Sequence, residues 1–82
     1  MQYVYILKSQ KDPSRTYIGK TANVSERLEE HNRGESTYTK PFVPWKLQTY
    51  ICFENDQSAD DFEKYLKSGS GFAFMKKRLL PK

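Results

Sequence analysis

An α/β domain, with a three-stranded antiparallel sheet flanked by helices, is the fold that this 82-residue chain predicts. Three observations predict it. Two tyrosine-bearing runs of strand character, Tyr3-Val4-Tyr5-Ile6-Leu7 and Tyr17-Ile18-Gly19-Lys20, flank the turn chemistry of Asp12-Pro13-Ser14 and so read as a hairpin. A third run, Lys46 to Phe53, alternates again and reads as a further strand. Apolar residues at helical spacing fill the stretches between and after these runs. The length allows one modest core, so a single domain over residues 1–82 is expected.

The hairpin strands are expected at 2–8 and 15–20, with Tyr3, Tyr5 and Leu7 on one face and Val4 and Ile6 on the other. Gly19 leaves a strand position bare, which marks close approach of another backbone or of a ligand. Asn23 reads as a helix N-cap with Glu26 completing a near capping box, and Gly34 as the stop after a helix ending near Arg33. Val24, Leu28 and His31 share the apolar stripe of that helix, Arg27 stands at its edge, and Glu26, Glu29 and Glu30 point towards water. Residues 34–45, with Pro41 and Pro44, read as a polar loop without regular structure, the kind that carries function in small domains. Trp45 is expected to plug the core where the loop rejoins the sheet. In the third strand Leu47, Thr49, Ile51 and Phe53 should face inwards, and Cys52 should be a small buried hydrophobe. Ser58 reads as the next N-cap, Ala59, Phe62 and Leu66 as the buried stripe, and Gly69 as the end of that helix. A short final helix from Ser70-Gly71 should lock Phe72, Met75 and Leu79 into the core.

Composition bounds the function. Hydrophobic content of 37% and charged content of 29% suit a folded globular chain. No run approaches the ~20 apolar residues of a membrane span, and the N-terminus shows no signal peptide. One cysteine excludes a disulfide framework and a Cys-based zinc site. A cytoplasmic setting without membrane contact is therefore the expectation. The net charge is +4, unevenly spread: residues 64–82 hold six basic side chains and no acidic ones, and residues 36–53 carry charge only at Lys40 and Lys46. Such separation suggests a basic face for phosphate backbones. A basic tail that merely keeps a small protein dispersed accounts for it equally well.

Five side chains have both a bland and a chemical reading. Paired strand tyrosines are ordinary sheet residues, or they flank a site. Arg27 snorkels over the core, or it is held ready for a phosphate. His31 is a satisfied buried histidine, or a proton-transfer group. Glu63, at the edge of an apolar stripe, pairs with Lys67 four residues on, or it holds a metal.

Taken in order, Tyr5, Tyr17-Ile18-Gly19, Arg27, His31 and Glu63 resemble the residue pattern of the GIY-YIG nuclease superfamily. The similarity runs through the loop from Ser36-Thr37 to Trp45-Lys46-Leu47 and the segment Glu63 to Gly71, nearly the whole chain. It is greatest with small stand-alone members. The first triplet departs, with Tyr3 where glycine is usual, and residues 74–78 lack the asparagine found in many active members. What the resemblance implies is Mg²⁺-dependent (or Mn²⁺-dependent) hydrolysis of a nucleic-acid phosphodiester, structure-directed or weakly specific. DNA is the first expected partner, and a protein partner could supply specificity. Glu63 would hold the metal and Arg27 would brace the phosphate. Tyr5 or Tyr17 would orient or deprotonate the attacking water, with His31 assisting. Lys20, Arg33, Lys40 and Lys67 would contact nucleic acid. The alternative is a catalytically silent nucleic-acid-binding module of the same fold.

Overall fold

The computed structural model describes residues 1–80; Lys82, part of the basic C-terminal segment, lies outside the described residues. Strand β1, Gln2–Ser9, is the centre of the sheet. Strand β2, Thr16–Thr21, pairs antiparallel along one side with Tyr5 opposite Gly19 and Leu7 opposite Tyr17. Strand β3, Trp45–Phe53, pairs antiparallel along the other. The order β2-β1-β3 leaves β2 as an edge strand, which matters for the site.

Both faces of β1 are buried, because its side chains alternate between two apolar clusters. Val4 and Ile6 pack with Ala59 and Leu66 of helix α2, Asp56–Leu66, and with Met75. Tyr5 and Leu7 pack with Trp45, and with Val24 and Leu28 of helix α1, Val24–Asn32. The sheet is thus the middle layer between α1 and α2. A short helix α3, Gly69–Phe74, and a π-type turn over Met75–Leu79 complete the α2 side.

Several local expectations are corrected. The third strand does not present one face: the register shifts between Ile6 and Leu7, so Thr49 pairs with Ile6 but Leu47 with Leu7. A bulge of this kind swaps the outward side, and it puts Leu47 beside α1 while Phe53 packs on the α2 side. Cys52 is exposed, with its thiol against the Met1 sulfur. The cap of α2 is Asn55, whose side chain accepts from the Ser58 amide. Helix α2 ends at Leu66, and Gly69 is the first residue of α3, which Ser68 caps by accepting from the Gly71 amide. Phe72 is 47% exposed rather than in the core, whereas Met75 is fully buried. The loop 34–45 contains a single 3₁₀ turn, Lys40–Phe42. Trp45 does plug the core as expected, and Asn23 and Gly34 bound α1 as read.

Candidate active site

The site forms at the free edge of β2, from side chains of the sheet and of the helices on its two faces. Tyr5 starts it. Its side chain is 2% exposed and lies over Gly19, where any Cβ would overlap the phenol ring and hydroxyl. The bare position therefore exists to let this ring through. The Tyr5 hydroxyl meets His31 Nε2 at 3.0 Å, and His31 Nδ1 meets Thr39 Oγ1 at 2.8 Å. Thr39 Oγ1 also has the Ser36 carbonyl at 3.5 Å as an acceptor. With Thr39 donating to Ser36, His31 carries its proton on Nδ1 and accepts the Tyr5 O–H at Nε2.

This chain is shielded from water, since His31 and Thr39 are both fully buried. Burial, with Arg27 nearby, holds the His31 pKa below its ordinary 6.5, only partly offset by Glu30. Burial likewise pushes Tyr5 up to about 12, against the pull of the Arg27 guanidinium and with Tyr17 and Glu63 adding to the rise. At neutral pH roughly one Tyr5 in 10⁵ would be ionised. Tyr5 is a neutral phenol, and His31 a neutral imidazole.

Arg27 projects from the exposed edge of α1 and is held by Glu30, Nη1 to Oε1 at 2.7 Å. Glu30 was expected to point to water; instead it orients the guanidinium and, with a smaller contribution from Tyr5, raises the Arg27 pKa against the opposing effect of burial. Tyr17 is half-buried, its ring 4.9 Å from the His31 ring and 6.2 Å from Tyr5. Across the edge of β2, Glu63 stands with its side chain 22% exposed, paired to Lys67 at 3.1 Å. Lys67 in turn lines the same concavity as Tyr17, and the Glu63 carboxylate is close enough to Tyr5 to add to the rise of its pKa.

The expected constellation is therefore brought together: Tyr5, Tyr17, Arg27, His31 and Glu63. The basic residues fare differently. Lys20 shares the face of Ile18 and Val4, opposite to the tyrosines, and is clamped by Asp56 at 2.8 Å and Asp60 at 2.6 Å. Arg33 is paired with Glu35 at 2.6 Å. Lys40 is exposed, its stem over Gly34. Lys67 is held by Glu63. The Thr39 hydroxyl in the same loop is spent on His31.

Among the described residues no three His, Cys, Asp or Glu side chains cluster as a metal cage. The donor set fits a hard divalent cation bound by one carboxylate, because Mg²⁺ keeps several waters and completes its shell with substrate oxygens. The Lys67 side chain is 55% exposed and free to swing off Glu63. Sequence reasoning missed two members. Glu30 was findable, being three residues from Arg27 on one helix face. Thr39 was not, since nothing local separates it from Ser36 and Thr37.

The family model described as "GIY-YIG catalytic domain" matches residues 1–78. A UPF0213 protein of Clostridium perfringens is 44% identical over 68 residues, covering 82% of this chain and 71% of that protein. A "Structure-specific endonuclease subunit SLX1 homolog" of Giardia intestinalis is 34% identical over 65 residues, 74% of this chain but 18% of its own length. The solution NMR structure of a UPF0213 protein from Bacillus halodurans superposes with a TM-score of 0.56 at 27% identity, covering 99% of this chain and 89% of that one.

Proposed function

Because this chain belongs to the GIY-YIG catalytic-domain family, we propose that it is a metal-dependent endonuclease that hydrolyses phosphodiester bonds in DNA, with Mg²⁺ or Mn²⁺ at Glu63. The observation that carries this reading is the convergence of a braced arginine, a buried Tyr–His pair, a half-exposed tyrosine and a lone carboxylate on one sheet edge.

Each side chain has work suited to its surroundings. The Arg27 guanidinium, fixed by Glu30, donates to the nonbridging phosphate oxygens, whose charge grows as the water attacks. Tyr17 is half-buried and lines the open hollow, so it can hold or deprotonate the attacking water. Tyr5 keeps its proton and serves to position Arg27 and the phosphate. A neutral His31 can take up a proton released along this chain. When bound at Glu63, a divalent cation supplies neutralisation of the charge on the leaving and nonbridging oxygens.

The test is incubation with flap, branched and supercoiled plasmid DNA in Mg²⁺, in Mn²⁺ and in chelator, with Glu63→Ala alongside. Nicking should need the cation and disappear in the variant, whose thermal unfolding should be little changed because the Glu63–Lys67 pair is exposed on the lysine side. Cleavage that persists in Glu63→Ala would remove Glu63 from the reaction. The 3.1 Å Glu63–Lys67 pair favours one second reading, a silent DNA-binding module in which lysine has replaced the cation. That reading requires DNA binding without cleavage in every metal tried.

A further inference from the structure

We propose that the concavity beyond Tyr17 receives an unpaired nucleobase next to the cleaved phosphate, so the substrate is single-stranded or locally unpaired DNA rather than intact duplex. This rests on the nuclease reading for the phosphate, but the pocket has its own evidence. It is a hollow of about 400 Å³, within the size range of small-molecule sites, walled by Tyr17, Tyr38, Phe72 and the Leu66–Lys67 end of α2.

Its walls are aromatic and poorly covered: Tyr38 is 67% exposed and Phe72 47%. Exposed rings grouped around one hollow mark a binding surface more than a packing remnant. Each ring is also presented by a rigid neighbour. Tyr38 precedes Thr39, which is fully buried on His31. Phe72 follows Gly71, whose backbone lies so close to the Tyr65 carbonyl that a Cβ would overlap it. Tyr38 also sits 6.0 Å from the Tyr17 ring. Base–aromatic stacking needs such flat, pre-positioned faces and tolerates any base.

The floor is the edge strand β2, through Thr16, Tyr17 and Ile18. Consecutive residues of an edge strand alternate in direction, so at least one of these three turns its N–H and C=O away from β1. That donor–acceptor pair can meet the polar edge of a base. Continuity fixes the occupant. Tyr17 belongs both to the hollow and to the phosphate site, and the group adjoining a backbone phosphate is a nucleoside. A paired base is stacked and edge-bonded within its helix, so only an unpaired or extruded one can enter.

The experiment uses the whole chain in chelator, so that binding is read without cleavage. Fluorescence anisotropy compares a single-stranded oligothymidylate with a hairpin duplex of equal charge, for the native chain and for Phe72→Ala, Tyr38→Ala and Phe72→Trp. The single strand should bind more tightly than the duplex. Each alanine change should weaken single-strand binding by about five- to a hundred-fold and leave the duplex within about twofold. Phe72→Trp should retain the preference. Equal losses on both DNA forms, unchanged single-strand binding in both alanine variants, or no measurable single-strand binding by the native chain each overturns the proposal. Self-association of the native chain abolished by Phe72→Ala would overturn it too, assigning the hollow to a second copy. A chain that cleaves nothing yet shows this discrimination sinks the nuclease reading and leaves the pocket standing.

Discussion

At the scale of single residues, Gly19 and Tyr5 form one device. The ring of Tyr5 occupies the space that a side chain at position 19 would need, and it is pinned there by His31. Gly→Ala in a tolerant strand position would stabilise slightly by restricting the unfolded chain. Gly19→Ala should instead destabilise by about 1–3 kcal/mol, as overpacking does. By pushing Tyr5 off His31 it should also cut cleavage by roughly 100-fold, the cost of a misplaced reacting group. Urea unfolding and single-turnover nicking check the two parts separately. The tyrosines can be told apart by pH. Tyr5, pushed up to about 12 by burial, is too rarely ionised to be a base, whereas Tyr17 has access to solvent. Tyr17→Phe should therefore flatten the rise of the single-turnover rate with pH. Tyr5→Phe should lower the rate and keep the rise. The opposite pair of results would reverse the two roles, and a rise kept in both variants would pass the base function to His31 or to metal-bound hydroxide.

Among the elements, the junction of α2 and α3 holds the glycine with the least room for a side chain, Gly71. Helix α2 stops at Leu66, Ser68 caps α3, and Gly71 sits on the Tyr65 carbonyl. No rotamer change can relieve a Cβ placed against backbone, so Gly71→Ala should destabilise by more than about 3 kcal/mol. Gly69 is the internal comparison, with nothing within 4 Å of its Cβ position. Gly69→Ala should be neutral or stabilising by up to about 1 kcal/mol, since Ala is the better helix residue. Matched urea midpoints for the two variants would contradict this placement of α3. The loop between α1 and β3 is fastened in the same spirit. Asn32 accepts from the Trp45 amide at 2.6 Å and donates to its carbonyl at 3.0 Å, and the Trp45 indole donates to the Thr39 carbonyl at 2.9 Å. These bonds are what deliver Thr39 to His31.

For the whole molecule, the buried imidazole couples the site to stability. His31 has a folded pKa lowered below 6.5 by burial and by Arg27. The unfolded chain therefore binds the proton more readily than the folded one. The resulting stability is fully present above pH 6.5 and is lost as pH falls towards the folded value. Denaturant midpoints should decline from pH 7 to pH 5, and His31→Gln, which cannot take up a proton there, should decline less over the same range. Equal slopes for the two proteins would mean that His31 does not carry this dependence. The ion pairs of Lys20 with Asp56 and Asp60 lie on the face opposite the tyrosines, and Arg33 is taken up by Glu35. Of the basic residues named from the sequence, Lys67 lines the hollow beside Tyr17 and Lys40 is exposed in the loop.

What the sequence determined by itself was local or periodic: alternation along β1, the caps and stop of α1, the stripes Val24-Leu28-His31 and Ala59-Phe62-Leu66, and the order of the candidate site residues. These are legible because neighbours a few positions apart enforce them. The tertiary structure decided what depends on distant partners. A bulge opposite Ile6 and Leu7 split β3 between the two cores, although its sequence alternates without a break. Phe72 and Cys52 are exposed, whereas the pattern of apolar residue types said inward. Ser58 yielded the cap to Asn55 because both suit that role and only the packed helix fixes where the first turn begins. Thr39 became part of the site only because Asn32 and Trp45 fold the loop back onto α1, a contact no spacing in the chain encodes.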